Sequence, residues 1–218
     1  MRLALFDLDN TILAGDSDHA WGEFIVEKGL VDGDSYRKQN DAFYQEYLEG
    51  GLDIVAYQRF VLNIFKGKTL AQIRPLQEEF LAKVVTPMIK PKAKARLDEH
   101  RKQGDYIIII TATNSLITEM IASYLQVHHL IATTPEIIND CVSGNIIGVP
   151  SFQQGKVLRL QSWLEGTSFC LNNSFFYSDS WNDIPLLEQV TYPFVVDADD
   201  KLKHIALSRG WPILNFIS

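Results

Sequence analysis

The chain has 218 residues, 46% of them hydrophobic and 22% charged, ordinary values for a globular protein able to bury one large core and carry a smaller insertion. Its net charge of -7 argues against a general nucleic-acid surface, and two cysteines, Cys141 and Cys170, are too few for a disulfide framework. No apolar stretch is long enough to span a bilayer, so the reading is a cytoplasmic protein with a small-molecule partner, no nucleic acid and no membrane, its oligomeric state left open.

The first predicted element is the apolar run Leu3-Ala4-Leu5-Phe6, which ends in Asp7-Leu8-Asp9-Asn10-Thr11. Such a run suits the central strand of a parallel sheet, where ligands bind beyond the carboxyl ends of the strands. In an extended chain Asp7 and Asp9 point to one side and Leu8 to the other, so the two carboxylates repel unless a cation or a shared proton relieves them. Over residues 17–83 the apolar side chains then fall at helical spacing: Trp21 with Phe24, Ile25 and Val26, then Phe43, Tyr44, Tyr47 and Leu48, then Phe60, Val61, Ile64 and Phe65. Glycines 29, 33, 50, 51 and 67 punctuate them. The block is too long for an ordinary crossover and reads as an inserted subdomain. The expected division is an α/β core of residues 1–15 and 86–218, with a helical insertion over 16–85.

After Pro91 a predicted helix over residues 92–103 leads through Gly104 into a β-branched strand over 106–110, which ends in Thr111-Ala112-Thr113-Asn114. A helix over 115–126 and a strand over 130–132 follow. Residues 137–149, carrying Ser143-Gly144-Asn145, read as a hairpin. Phe175-Phe176-Tyr177 and Phe194-Val195-Val196 are further strands. This alternation predicts an α/β fold: a doubly wound parallel sheet, Rossmann-like, with right-handed crossovers.

Four separated segments bring polar groups to strand ends or helix starts: Asp7 with Asp9, Thr111, Lys156, and Asp179 with Asp183. In a parallel sheet these ends lie along one edge and can surround one ligand. Taken singly, Thr111 reads equally well as a helix cap and Lys156 as an exposed helix-start lysine. The loop Asp179-Ser180-Trp181-Asn182-Asp183 carries more acidic and amide groups than a structural cap needs. His128 and His129 lack metal-ligand spacing, and Trp21, Trp163 and Trp181 read as packing residues.

Together these residues resemble the motif set of the haloacid dehalogenase superfamily of phosphohydrolases, with Asp7-x-Asp9-x-Thr11 as the first motif, Thr111 the second, Lys156 the third and Asp179-x-x-x-Asp183 the fourth. The resemblance implies that Asp7 is the nucleophile of an aspartyl-phosphate mechanism and Asp9 the general acid and base. It further implies a Mg2+ held by the Asp7 and Asp179 carboxylates and the Asp9 main-chain carbonyl, with Asp183 orienting the metal shell. Thr111, Ala112, Lys156 and Asn182 would hold the phosphate. The chemistry explains these residue types: a dianionic phosphate ester repels a carboxylate nucleophile until cations neutralise the site, and hard oxygen ligands suit Mg2+.

A helical block between the first and second motifs is similar to the arrangement in the phosphoserine phosphatase-like branch, which implies that Asp16 binds a substrate amine and Arg59 a substrate carboxylate. The chain departs from that branch in having Asp16 for a glutamate, Thr111-Ala112-Thr113 for Ser-Gly-Gly, and Ser180-Trp181 for Gly-x. The expected activity is Mg2+-dependent hydrolysis of a small phosphorylated metabolite resembling phosphoserine, with histidinol phosphate or another small-amine phosphate as the alternative. A non-enzymatic phospho-acceptor switch is a second class. Metal-free halide displacement is disfavoured because it gives Asp9 no task.

Overall fold

The computed structural model describes residues 1–217. Its strands are β1 (Leu3–Phe6), β2 (Tyr106–Asn114), β3 (His129–Ile138), β4 (Cys141–Ile147), β5 (Phe175–Ser178), β6 (Tyr192–Val196) and β7 (Ile213–Leu214). They form one seven-stranded sheet in the order β4-β3-β2-β1-β5-β6-β7. Every neighbouring pair is parallel except β3 and β4, which make an antiparallel hairpin at one edge. Successive strands run outward from β1 on one side through β2 and β3, and on the other through β5, β6 and β7. The winding therefore reverses between β1 and β5, and the crevice beyond their carboxyl ends is where such sheets bind ligands.

Strand alternation divides the core in two. Ala4, Phe6, Ile107 and Ile109 face one buried cluster, while Leu3, Leu5, Ile108 and Ile110 face the other, all at 0% exposure, as fits strands covered on both sides. Helices α6 (Pro91–Lys102) and α7 (Ser115–Tyr124) cover the first face; α8 (Gln154–Glu165), α9 (Ile184–Leu187) and α10 (Asp200–Arg209) cover the second.

Between β1 and β2 lie α1 (Ser17–Glu27), α2 (Gly33–Glu49), α3 (Ile54–Asn63) and α4 (Leu70–Phe80), the last running through a π-type turn at Leu81–Val85 into the short α5 (Thr86–Met88). This helical insertion shares its core with the sheet. Trp21, Phe65 and Phe80 pack in the same cluster as Phe6 and Ile109. The chain enters and leaves the insertion through two linkers that run side by side: the Ala14 N–H donates to the Met88 carbonyl at 2.7 Å, and the Lys90 N–H to the Ile12 carbonyl at 3.0 Å.

Three local expectations need correction. The strand expected over 106–110 continues to Asn114, so Thr111 and Thr113 are strand residues and Thr111 is not a helix cap. The strand expected over 130–132 extends to Ile138. The hairpin is present, but it turns at Asn139-Asp140, where φ is 51° and 65°; two successive left-handed residues match the twist of the flanking strands. Ser143-Gly144-Asn145 lies inside β4 instead. A β-carbon on Gly144 would sit 2.9 Å from the Asn63 Oδ1, so the glycine lets α3 approach that strand. Among the described residues, no helix is long and apolar enough to cross a membrane.

Candidate active site

Asp7 stands one residue past β1, its N–H donating to the Tyr177 carbonyl of β5 at 2.9 Å, so the strand pairing itself aims the side chain over the crevice. The Lys156 Nζ donates to Asp7 Oδ1 and to Asp183 Oδ2, both at 2.8 Å, and the Ser178 hydroxyl donates to Asp183 Oδ2 at 2.7 Å. Lys156 reaches this point from the first turn of α8. A β-carbon on Gly155 would lie 2.0 Å from the Pro150 carbonyl, so only glycine permits the close approach that starts this helix. The exposed-lysine reading of Lys156 therefore fails: it is 4% exposed. Burial alone would lower its pKa, but Asp183 and Asp7 raise it, leaving a fixed ammonium.

Asp9 is held by three donors from two elements, α1 and β2. Its Oδ1 accepts from the Ser17 N–H at 2.6 Å, and its Oδ2 from the Thr113 hydroxyl at 2.9 Å and the Thr111 hydroxyl at 3.3 Å. Asp179 is tied to the first loop by a reciprocal pair, the Thr11 hydroxyl donating to its Oδ1 at 2.9 Å and its own N–H donating back to Thr11 Oγ1 at 3.0 Å. Burial, then Asp183 and Asp9, push Asp7 up to about 7 against the pull of Lys156, while burial and Asp16 push Asp9 up to about 6. Burial and Asp7 hold Asp179 well above the usual carboxylate range.

This donor set fits a hard divalent cation. Lys156 is the sole basic side chain among the residues lining the cavity, so the carboxylates around it are not balanced. Lys156 and Thr11 each engage one oxygen of Asp7 and of Asp179, leaving the other oxygen of each carboxylate unengaged by these donors. Among the described residues no three His, Cys, Asp or Glu side chains form a metal cluster. Two carboxylates and one main-chain carbonyl, the set implied for Mg2+, contain only two such side chains.

Above these groups lies a cavity between the strand ends and the helical insertion. Its floor includes Asp7, Asp9, Thr111, Ala112, Thr113, Lys156, Asn182 and Asp183, and the insertion supplies Asp16, Asp18, Tyr44, Tyr57 and Gln58 to its wall. Asn182 is held by a hydrogen bond from Gln153 Nε2 to its Oδ1 at 2.9 Å. Asp16 lines the cavity as the N-cap of α1, its Oδ1 accepting from the N–H groups of Asp18 and His19 at 2.8 and 2.9 Å. Arg59, the expected carboxylate partner, is not among the residues that line the cavity. It is exposed on α3, and its neighbour Gln58, 0% exposed, takes the inward position because adjacent helix residues point about 100° apart.

The sequence reading missed Thr113, Ser178, Asp18, Gln58 and Asn114. Thr113 was within reach, since a strand running past Thr111 presents every second residue to the same side. Gln58 and Asp18 had no such signal, because their roles depend on which helix faces meet across the cavity.

The fold and this constellation define a hydrolase site at the switch point of a doubly wound sheet. The chain belongs to the haloacid dehalogenase-like hydrolases, whose family model matches residues 4–188. It is 38% identical to a histidinol-phosphatase of Neisseria meningitidis, with 99% of each chain covered. Among solved structures, a protein of unknown function from Bordetella pertussis Tohama I superposes with a TM-score of 0.93 at 39% identity, covering 99% of this chain and 98% of that one. A phosphoserine phosphatase, determined as a phospho-aspartyl intermediate analogue, superposes with a TM-score of 0.70 at 14% identity, covering 98% and 92%, a likeness of fold.

Proposed function

We propose that this protein is a cytoplasmic, Mg2+-dependent phosphatase that hydrolyses the phosphomonoester of a small amine, with histidinol phosphate as the leading candidate substrate, through an aspartyl-phosphate on Asp7. One observation carries the choice of substrate class. The insertion presents the carboxylates of Asp16 and Asp18 among the rings of Phe43, Tyr44 and Tyr57, and it contributes no basic side chain to the cavity. A carboxylate-bearing substrate such as phosphoserine would meet uncompensated acids there, whereas an ammonium group gains both the acids and the aromatic faces. The similarity to a histidinol-phosphatase supports the same choice. The free thiols of Cys141 and Cys170 support a reducing compartment.

In this reading Asp7 attacks phosphorus while Lys156 and the N–H and hydroxyl groups near Thr111 stabilise the charge on the phosphoryl oxygens. Mg2+, held by Asp7, Asp179 and the Asp9 carbonyl, would supply the remaining charge neutralisation. Asp9, its carboxyl pushed up by burial and by Asp16, donates a proton to the leaving alkoxide. It then takes a proton from the water that opens the aspartyl-phosphate. The test is steady-state hydrolysis of histidinol phosphate, O-phosphoserine and 4-nitrophenyl phosphate with Mg2+. Histidinol phosphate should have the highest kcat/KM, and preference for O-phosphoserine would overturn the substrate assignment.

A further inference from the structure

The wall of the cavity holds a carboxylate that takes no part in the phosphoryl-transfer steps. Asp18 is 4% exposed and lines the cavity. Its Oδ2 accepts a hydrogen bond from Gln58 Nε2 at 3.2 Å, and Gln58 Oε1 in turn accepts one from Asn114 Nδ2 at 2.9 Å. The other oxygen, Asp18 Oδ1, is buried and has no hydrogen-bond partner. The relay from Asn114 through Gln58 fixes the carboxylate on the wall with neutral donors only. A buried acid held this way stays unfavourable until a proton or a cationic donor reaches its free oxygen.

Asp16 and Asp18 are not equivalent. Asp16 is partly exposed, and its Oδ1 is engaged in capping α1. Asp18 is the deeper of the two, and one of its oxygens has no hydrogen-bond partner. Burial, then Asp16 and Asp9, hold its carboxyl well above the usual range, the behaviour of an acid lacking a cation. Tyr57 and Phe43 line the same cavity, and their flat faces suit a planar ring better than an alkyl chain.

We infer that Asp18 is a specificity residue: it accepts an N–H from a second, planar nitrogen-bearing group of the substrate, which leaves the ammonium group to Asp16. The inference rests on the amine-phosphate reading above and deepens it. The ligand class becomes a phosphomonoester with two nitrogen donors, one an ammonium and one on an aromatic ring.

The test compares histidinol phosphate, which has both groups, with 2-aminopropyl phosphate, which keeps the ammonium and lacks the ring, using the full chain with Mg2+. In the Asp18→Asn variant the ratio of kcat/KM values for these two esters should fall tenfold or more, through KM rather than kcat, as on the order of one charge-assisted hydrogen bond is lost. An unchanged ratio overturns the inference, whether both esters are impaired equally or neither is. Gln58→Met provides a second variant should Asp18→Asn fail to fold. Loss of the Gln58 amide should lower the same ratio by a smaller factor, and no change there would also overturn the inference. Failure of the underlying reading looks different: wild-type protein would show no preference for 2-aminopropyl phosphate over propyl phosphate.

Discussion

At the phosphoryl end of the cavity, each acid comes from a strand terminus or the loop beyond it and is held by a side chain of another segment: Asp7 by Lys156, Asp9 by Thr113, Asp179 by Thr11. At the substrate end the wall is helical, and its acids are held by an N-cap and by a glutamine relay, one oxygen remaining without a partner. The first arrangement is rigid because the sheet fixes it, and its chemistry needs only a phosphomonoester. The second depends on how the insertion sits against the sheet, so it can discriminate between alcohols without touching the reaction. Substitutions at the two ends should therefore separate cleanly in their kinetics.

The largest effect belongs to the nucleophile. Asp7→Asn should abolish turnover of every phosphomonoester, a loss of roughly three orders of magnitude or more, because an amide of the same shape does not attack phosphorus. Steady-state assays beside circular dichroism of the folded variant check this. Activity within tenfold of wild type, with deamidation excluded by mass spectrometry, would move the nucleophile elsewhere.

Asp9 comes next. Asp9→Asn removes the proton donor, so hydrolysis of an alkyl phosphate should fall by about 100- to 10,000-fold while phosphoenzyme formation from 4-nitrophenyl phosphate, whose leaving group needs little help, falls much less. Rapid-quench measurement of the two burst rates distinguishes them. Equal impairment would make Asp9 an anchor for Ser17 and Thr113 rather than an acid.

The same contrast explains what the sequence revealed. The doubly wound sheet, the helical block and the convergence of Asp7, Asp9, Thr111, Lys156, Asp179 and Asp183 were legible because strand ends announce themselves as apolar runs that stop at polar residues, and a period of two leaves little freedom of direction. The substrate end was not legible in this way. On a helix a shift of one residue turns a side chain by about 100°, so choosing between Gln58 and Arg59 required knowing which face of α3 meets the cavity. Asn114 reaches Gln58 behind this wall only because β2 runs four residues farther than its isoleucine run suggests.

Beyond the shared core, α2 meets the floor through a small contact that a modest substitution breaks. Gly50 caps α2 at φ 82°, and a β-carbon there would sit 2.3 Å from the Trp181 ring, which is itself pinned by Lys201 at 3.3 Å from the ring centroid. The Tyr47 hydroxyl donates to Ser180 Oγ at 3.2 Å beside it. Gly50→Val should displace the insertion, raising KM several-fold for amine phosphates, and should cost about 1–2 kcal/mol of stability from the left-handed backbone alone. An unchanged KM would mean that α2 yields without moving the cavity wall.

Stability should also depend on pH in a direction set by the crowded floor. Asp7 at about 7 and Asp9 at about 6 lie above the ordinary aspartate value, so the folded protein binds more protons than the unfolded chain between about pH 4 and 7. Stability contributed by these groups is present at the acid side of that window and is lost as pH rises through it. Without divalent cations, Tm should fall by several degrees between about pH 5 and 8, and Mg2+ should flatten the slope by neutralising the same carboxylates. A metal-free Tm that rises over this interval would contradict the electrostatics of the floor.

The smallest expected effect is the sharpest test of the substrate end. Arg59 is exposed on α3 and absent from the cavity lining, so Arg59→Ala should change KM for histidinol phosphate and for O-phosphoserine by less than about twofold, the range expected of an exposed charge outside a site. A guanidinium paired with a substrate carboxylate would behave otherwise, since its loss removes a charge-assisted hydrogen bond and should raise KM for O-phosphoserine on the order of tenfold or more. That outcome would require α3 to rotate when substrate enters, carrying Gln58 out of the relay with Asp18 and Asn114. The helical wall would then have two registers, and the acids would serve only one of them. Indifference of both substrates to Arg59→Ala instead leaves Gln58 as the inward residue and the cavity without a partner for a carboxylate.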